Sequence, residues 1–188
     1  MPVDPRSFWH SNMADTCSVW NVLSSSCLYQ SAVSAGCTFS CTDFVIYECL
    51  HKPRQGIYEH DLELQRRLRA EQEKGSFQTF HLEIEDLQEL DILENRKKLG
   101  KGELSSIAFA KRTSQAFLTD DRGAFRLARE IMVAGHVQST PHLFSWMIYE
   151  RILHDSDKET IIKEHESVKG QLRQKFEESY AVALQYMG

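Results

Sequence analysis

Ala116-Phe117-Leu118-Thr119 is an apolar, β-prone run that ends at two acids, Asp120 and Asp121. A short apolar run bounded by polar residues is typical of a buried strand. Amphipathic helical patterns flank it, from about Leu104 to Ala110 and from about Ala124 to Met132. The run therefore predicts a strand inside an alternating α/β chain, with acidic side chains where the strand ends.

The same alternation continues toward the N-terminus. A short strand is predicted to end near Asp15, and a helical stripe of apolar residues follows from Val19 to Val33, with Gly36 as its stop. Cys37 to Cys41 predicts a second strand, and Thr42 is the expected N-cap of the next helix. Three further segments continue the pattern: a helix at 58–74, a strand at 77–82 and an acidic helix at 84–99.

Beyond the flanking helix, His136 to Ser139 predicts a weak last strand. Thr140-Pro141 then predicts a helix start, with Thr140 as the cap and proline in the first helical position. A capping-box pattern at Ser156 opens a further run of apolar residues at helical spacing. We expect one long amphipathic helix there, with a soft point at Gly170.

Strands that alternate with helices indicate an α/β fold with a mainly parallel sheet. We expect a three-layer α/β/α domain with a central sheet over residues 1–154 and a C-terminal amphipathic helix over 155–188. The apolar stripe of that helix must bury against the domain or a partner. In such sheets, functional sites form at the carboxyl ends of the strands.

The composition is that of an ordinary globular protein, with 41% hydrophobic and 26% charged residues. No run of 18 apolar residues predicts a transmembrane helix, and residues 1–10 lack the apolar core of a signal peptide. We therefore expect a cytoplasmic protein whose five cysteines are reduced thiols without zinc-site spacing. The net charge of −5 argues against a broad basic face. It fits an acidic site that needs a cation, and it equally fits an ordinary acidic protein without such a site.

Four carboxylates stand at or near the ends of predicted elements or on an apolar helix: Asp15, Glu48, Glu103 and Asp121. Clustered acids raise one another's pKa, and a hard divalent cation such as Mg²⁺ or Mn²⁺ removes that repulsion. Such an ion can bind a phosphodiester and generate hydroxide from water. Acids are also common on solvated surfaces, and Glu103 could simply complement a helix dipole.

Four stretches of this chain, in this order, resemble motifs of the PIN-domain family of nucleases. Met13 to Ser18 resembles the opening aspartate with its small hydroxyl residue, and Asp43 to Leu50 resembles the second helix, whose glutamate points into the site. Leu99 to Ala108 is similar to the family's Gly-Glu-Ala stretch, and Phe117 to Arg122 to its hydroxyl-x-Asp motif. The resemblance covers about residues 13–153.

The resemblance implies a PIN-like, metal-dependent endoribonuclease that hydrolyses RNA with Mg²⁺ or Mn²⁺, similar to toxins of toxin–antitoxin or defence systems. The implied metal-binding acids are Asp15, Glu48, Glu103 and Asp121, and the implied supporting residues are Thr16, Thr119 and Asp120. Many family members carry a further polar ligand after the last strand, where this chain has Ser139 and Thr140. Because other members cut DNA, the choice between RNA and DNA stays open.

Four cations near these acids in sequence are candidates for contacts with substrate phosphates, although solvated surface charge explains each of them equally well: Lys52, Arg54, Lys101 and Arg122. The partners implied are RNA and either an inhibitory antitoxin protein or a second copy bound through the C-terminal helix. Folding of that helix onto its own domain is the alternative.

Two other functions compete with the nuclease. The first is a catalytically silent PIN-like interaction module whose working surface is the C-terminal helix. The second is a receiver-like α/β protein with an acidic pocket. A receiver needs a lysine near its last strand, and no lysine lies between Arg112 and Lys158.

Overall fold

The computed structural model describes residues 4–53, 56 and 58–188. Its five strands form a single sheet in the order β3-β2-β1-β4-β5, and every neighbouring pair is parallel. The strands are β1 (Ser11–Ala14), β2 (Thr38–Thr42), β3 (Gln78–Phe80), β4 (Ala116–Leu118) and β5 (Val137–Gln138). The α/β class with a central parallel sheet is therefore confirmed.

Ten helices lie within the described residues. They are α1 (Thr16–Leu23), α2 (Ser26–Ser34), α3 (Asp43–Leu50), α4 (Glu59–Glu73), α5 (Ile84–Arg96), α6 (Lys101–Thr113), α7 (Arg122–Ile131), α8 (Thr140–Tyr149), α9 (Asp155–Ser167) and α10 (Arg173–Met187). No helix in this part of the chain is both long and apolar enough to cross a membrane.

The helices cover both faces of the sheet. Successive side chains of a strand point to opposite faces, so Ala14 and Leu118 join one apolar cluster while Met13 and Phe117 join another. The first cluster contains side chains from α1 to α4 and from α8 to α10, and the second contains side chains from α5 to α7. This arrangement is the three-layer α/β/α fold, and it buries the middle strands on both sides.

The single helical stripe expected from Val19 to Val33 is wrong, because the chain breaks between α1 and α2. Ser25 caps α2 by accepting a hydrogen bond of 3.1 Å from the backbone N–H of Leu28. The Ser25 hydroxyl also donates to Glu164 of α9 at 2.6 Å. A residue far along the chain thus helps to fix this break, which local periodicity could not reveal.

The start of α8 also differs from the expectation. Ser139, rather than Thr140, is the N-cap, and its hydroxyl accepts from the backbone N–H of His142 at 3.3 Å. Thr140 is the first helical residue, and Pro141 is the second. The Thr140 hydroxyl is therefore available for another contact, with Asp120, described below.

The C-terminal segment consists of two helices, divided near the soft point at Gly170. Its capping box uses His154 and Asp157 in place of Ser156. Where the chain turns, the backbone N–H of Leu172 donates to Nε2 of His165 at 2.9 Å. The apolar stripe folds onto its own chain, because the ring of Phe176 is fully buried against that of Phe144 of α8, 5.2 Å away.

Candidate functional site

The acids singled out in the sequence lie on elements that meet at the carboxyl edge of the sheet. Asp15 directly follows β1, and Asp121 follows the adjacent strand β4 by three residues. Glu48 lies on α3, which leaves the end of β2, and Glu103 lies in the first turn of α6. A parallel sheet brings these strand ends to one edge.

Asp15 is fully buried and has hydrogen-bond donors on both carboxylate oxygens. The backbone N–H of Ser18 donates to Oδ1 at 2.9 Å, so Asp15 is the N-cap of α1. The hydroxyl of Thr119 donates to Oδ2 at 2.5 Å. Burial raises the pKa of Asp15 to about 7, although the bonds from Thr119 and Ser18 act in the opposite direction.

Thr119 connects the two strand ends at the centre of the site. Besides donating to Asp15, its hydroxyl accepts a hydrogen bond of 3.1 Å from the backbone N–H of Asp121. Asp121 in turn caps α7, because its Oδ1 accepts from the backbone N–H of Ala124 at 2.7 Å. One hydroxyl thus fixes the relative positions of two of the candidate acids.

Glu48 is held by a second hydroxyl and fits against a glycine. Thr16 donates to Oε2 of Glu48 at 2.6 Å. A side chain at Gly102 would displace Glu48, since its Cβ would lie 2.5 Å from Oε2 of Glu48 and 3.2 Å from Oγ1 of Thr16. The Nζ of Lys52 lies 3.9 Å from the other oxygen of Glu48.

Glu103 is the least satisfied of the acids. Its Oε2 is buried and has no hydrogen-bond partner among the residues that the structure describes. Burial raises the pKa of Glu103, the negative charges of Glu48 and Asp121 raise it further, and backbone hydrogen bonds at Glu103 and Gly100 act in the opposite direction. Glu103 therefore lies close enough to two other carboxylates for their negative charge to act on it.

Asp120 has a different set of neighbours. The side-chain amide of Asn21 donates to its Oδ2 at 2.8 Å. The backbone N–H and the hydroxyl of Thr140 donate to it at 3.1 and 2.6 Å. Burial raises the pKa of Asp120, and these bonds and the charge of Lys175 lower it. Asp120 thus contacts α1 and α8, whereas Asp121 caps α7 and influences Glu103.

Sequence reasoning missed Asn21 and Lys175, which act on the site from α1 and α10. The sequence around each residue does not mark it as functional, since both are ordinary polar residues on amphipathic helices. Thr140, noted in the sequence as a polar residue after the last strand, does reach the site through Asp120. Ser139, the other polar position, serves as the cap of α8.

The carboxylates do not share one compact centre. Across residues 4–53, 56 and 58–188, no group of three or more histidine, cysteine, aspartate or glutamate side chains is arranged to hold a metal ion. Asp15 is electrostatically coupled to Asp120, whereas Glu103 is coupled to Glu48 and Asp121. The Thr119 hydroxyl joins the two sets.

The candidate cations lie around the rim. Lys52 is beside Glu48, and Arg122 is an exposed residue in the first turn of α7. The Nζ of Lys101 lies 5.9 Å from the ring centre of Phe44. Arg54 lies outside the described residues.

The sequence was compared with models of known protein families and with curated proteins. The sequence matches no family model. It matches no curated protein either.

Proposed function

We propose that this protein is a metal-dependent endoribonuclease that hydrolyses RNA phosphodiester bonds at the carboxyl edge of its sheet. The observation that carries the proposal is the carboxylate of Glu103. One of its oxygens is buried and has no hydrogen-bond partner among the described residues. The negative charges of Glu48 and Asp121 also raise its pKa. A nearby positive charge would stabilise a partly buried acid in this situation.

A divalent cation fits this donor set. Every candidate ligand is a carboxylate oxygen, and such ligands suit Mg²⁺ or Mn²⁺. Glu48, Glu103 and Asp121 are half-buried rather than enclosed, so their side chains are able to rotate toward one ion. Asp15 is held by Ser18 and Thr119 and would contribute a fixed carboxylate beside them.

The ion, when bound, would lower the pKa of a water bound to it and stabilise the negative charge on the scissile phosphate. The chain's own residues do the positioning. Thr16 and Thr119 orient the carboxylates of Glu48 and Asp15 through hydrogen bonds. Lys52, Lys101 and Arg122 are the rim cations that would contact phosphates on either side of the cleaved bond.

The cellular part of the proposal is a toxin of a toxin–antitoxin or defence system that acts in the cytoplasm. Contact with an inhibitor or a second copy through the C-terminal segment is restricted by the fold. Most of the apolar stripe is covered by α2 and α8, and the exposed apolar side chains of α10 are Leu184, Tyr186 and Met187. A partner on this segment would bind the last two turns of α10.

The second candidate function is a catalytically silent interaction module with the same fold. It is favoured by the hydrogen bonds of Asp15 and Asp121, which cap α1 and α7 and so have a structural role without any metal. In that case the acids would be helix caps, and the rim would serve only for binding.

The experiment that separates the two functions is cleavage of a labelled single-stranded RNA by the full-length protein in Mn²⁺, in Mg²⁺ and in EDTA. Glu103→Gln keeps the shape of the side chain and removes its charge, so we expect it to abolish the metal-dependent cleavage. Glu94→Gln on the exposed side of α5 is the matched control. A matched DNA strand decides the choice of nucleic acid. Equal cleavage by wild type and Glu103→Gln would remove Glu103 from the proposed site, and no metal-dependent cleavage by the wild type would rule out the nuclease assignment.

A further inference from the structure

A groove with a volume of about 740 Å³ opens beside the acids, at the same edge of the sheet. It lies between α3, the residues after β3, α5 and the start of α6. Glu48 belongs both to this groove and to the acid site. A ligand in the groove would therefore continue directly into the proposed site of cleavage.

The floor of the groove is aromatic and aliphatic. Tyr47 is 51% exposed and Leu87 is 47% exposed, although both are large apolar side chains. Phe44, one turn before Tyr47 on α3, and Leu82, after β3, complete this surface. Exposed aromatic rings beside an enzymatic site commonly serve as platforms on which flat ligands stack.

The groove carries charges of both signs, with its two lysines, Lys52 and Lys101, at the rim. Of the two acids that line it, Asp43 is paired with His81 at 2.7 Å, and Glu48 accepts the hydrogen bond from Thr16 and lies 3.9 Å from the Nζ of Lys52. The backbone N–H of Lys52 donates to the carbonyl of Tyr47 at 2.8 Å, so the backbone of this lysine is fixed close to the exposed ring.

We propose that this groove is a nucleobase-binding subsite, in which a base stacks on Tyr47 and Phe44 while its flanking phosphates meet Lys52 and Lys101. This inference rests on the proposed function and names the substrate class of that site as an unpaired strand. A paired base has both of its faces covered by its neighbours in the duplex, so only a single strand can place a base on this floor. Stacking tolerates every base, so the subsite selects unpaired structure rather than sequence.

The test measures binding separately from cleavage. Every protein carries Asp121→Asn, which the proposed function makes inactive, and binding of a labelled single-stranded RNA is followed by fluorescence anisotropy in Mg²⁺. We expect Tyr47→Ala to weaken binding by about tenfold to a hundredfold, the range typical of one stacked base. Tyr47→Phe should bind like the parent, because the ring is kept. Tyr186→Ala, at a tyrosine that is 44% exposed on α10, is the matched control.

A substrate series identifies the stacking contact itself. Along an RNA with a single abasic nucleotide at successive positions, Tyr47→Ala should lose its effect at the one position that occupies the subsite. Binding of duplex RNA should not respond to Tyr47→Ala. Lys52→Gln with Lys101→Gln should instead reduce the salt dependence of binding, which Tyr47→Ala leaves unchanged.

The outcomes separate this inference from the proposed function. If Tyr47→Ala binds single-stranded RNA as tightly as Tyr186→Ala, the inference is overturned even when the wild type cleaves RNA. A protein segment would then be the expected occupant of the groove. If the wild type fails to cleave but Tyr47→Ala still weakens binding of the single strand, the subsite stands and the nuclease assignment falls.

Discussion

The hydroxyl of Thr119 donates a hydrogen bond of 2.5 Å to Oδ2 of Asp15, and this bond joins the end of β4 to the end of β1. Both residues are fully buried. The same hydroxyl accepts from the backbone N–H of Asp121 at 3.1 Å. Thr119 therefore contributes both to the packing of these strand ends and to the candidate site, and replacing it tests both.

Thr119→Val keeps the size and β-branching of the side chain and removes the hydroxyl. We expect a loss of about 1–3 kcal/mol in the free energy of unfolding, because a buried carboxylate oxygen and a backbone N–H lose their partner. Urea unfolding monitored by circular dichroism measures the change. Thr38→Val, at an exposed position on β2, is the control and should be nearly neutral. Equal stability of the two variants would show that the Asp15 contact contributes nothing.

Gly102→Ala tests the close fit between α6 and Glu48. Alanine favours a helix by about 1 kcal/mol over glycine, so the fold should not weaken through helix propensity. The new Cβ would nevertheless lie 2.5 Å from Oε2 of Glu48, and that carboxylate must rotate away from Thr16. We expect near-wild-type thermal stability together with reduced metal-dependent cleavage. A variant that cleaves RNA normally would remove Glu48 from the proposed ligand set.

Asp121→Asn should mainly reduce cleavage, whereas Asp120→Asn should mainly reduce stability. Asparagine still caps a helix, so Asp121→Asn should stay folded while cleavage falls by about 10–100-fold or more. Asp120→Asn places an amide against the donors of Asn21 and Thr140, so it should mainly lower stability. Unfolding midpoints and cleavage rates, measured on both variants, decide the matter. If only Asp120→Asn abolishes cleavage, the assignment is off by one residue.

Much of the fold could be predicted from the sequence because its signals are local. The apolar run at 116–119 and the cap at Thr42 depend on adjacent residues, and each marks an element of the structure. The break before Ser25 could not be predicted, because Glu164 of α9 stabilises it. The groove was also missed, since Tyr47 and Leu87 come from separate helices and each alone resembles an ordinary surface residue.

The candidate site was predictable in part for the same reason. Asp15 and Asp121 directly follow predicted strands, so the topology of the sheet places them at one edge. Asn21 carries no such signal, because its contact with Asp120 spans 99 residues. Pairings of this kind are set by the tertiary fold, and no pattern in either segment indicates them.

The buried histidine His165 makes stability depend on pH. Its Nδ1 lies 2.6 Å from the hydroxyl of Ser24, and its Nε2 accepts from the backbone N–H of Leu172, so the ring is neutral in the folded protein. Burial lowers its pKa from 6.5 to about 4. The unfolded chain therefore binds a proton first as the pH falls. The stabilisation is complete above pH 6.5 and is lost toward pH 4, by about 3 kcal/mol in total.

The measurement is the free energy of unfolding in urea at several pH values between 7 and 4. His165→Gln should be less stable than wild type at pH 7 and should lose less stability on acidification. His51→Gln, at an exposed histidine, should keep the wild-type pH dependence. If His165→Gln and wild type have the same slope, the proton that destabilises the protein binds elsewhere.

The C-terminal helices should be required for folding, since they belong to the same apolar cluster as α1, α2 and α8. Phe176 is fully buried, and its ring packs edge-on against Phe144. Phe176→Ala should therefore lower the free energy of unfolding by about 3–5 kcal/mol, the range for deleting a buried aromatic ring. Leu184→Ala on the same helix removes a side chain that is 43% exposed, and it should cost much less. Unfolding and association state are measured on both variants.

Removal of residues 155–188 should leave a chain that does not fold, because Ile161, Ile162 and Phe176 would no longer cover the core. A truncated chain that unfolds cooperatively at the wild-type midpoint would show instead that these helices are an appendage.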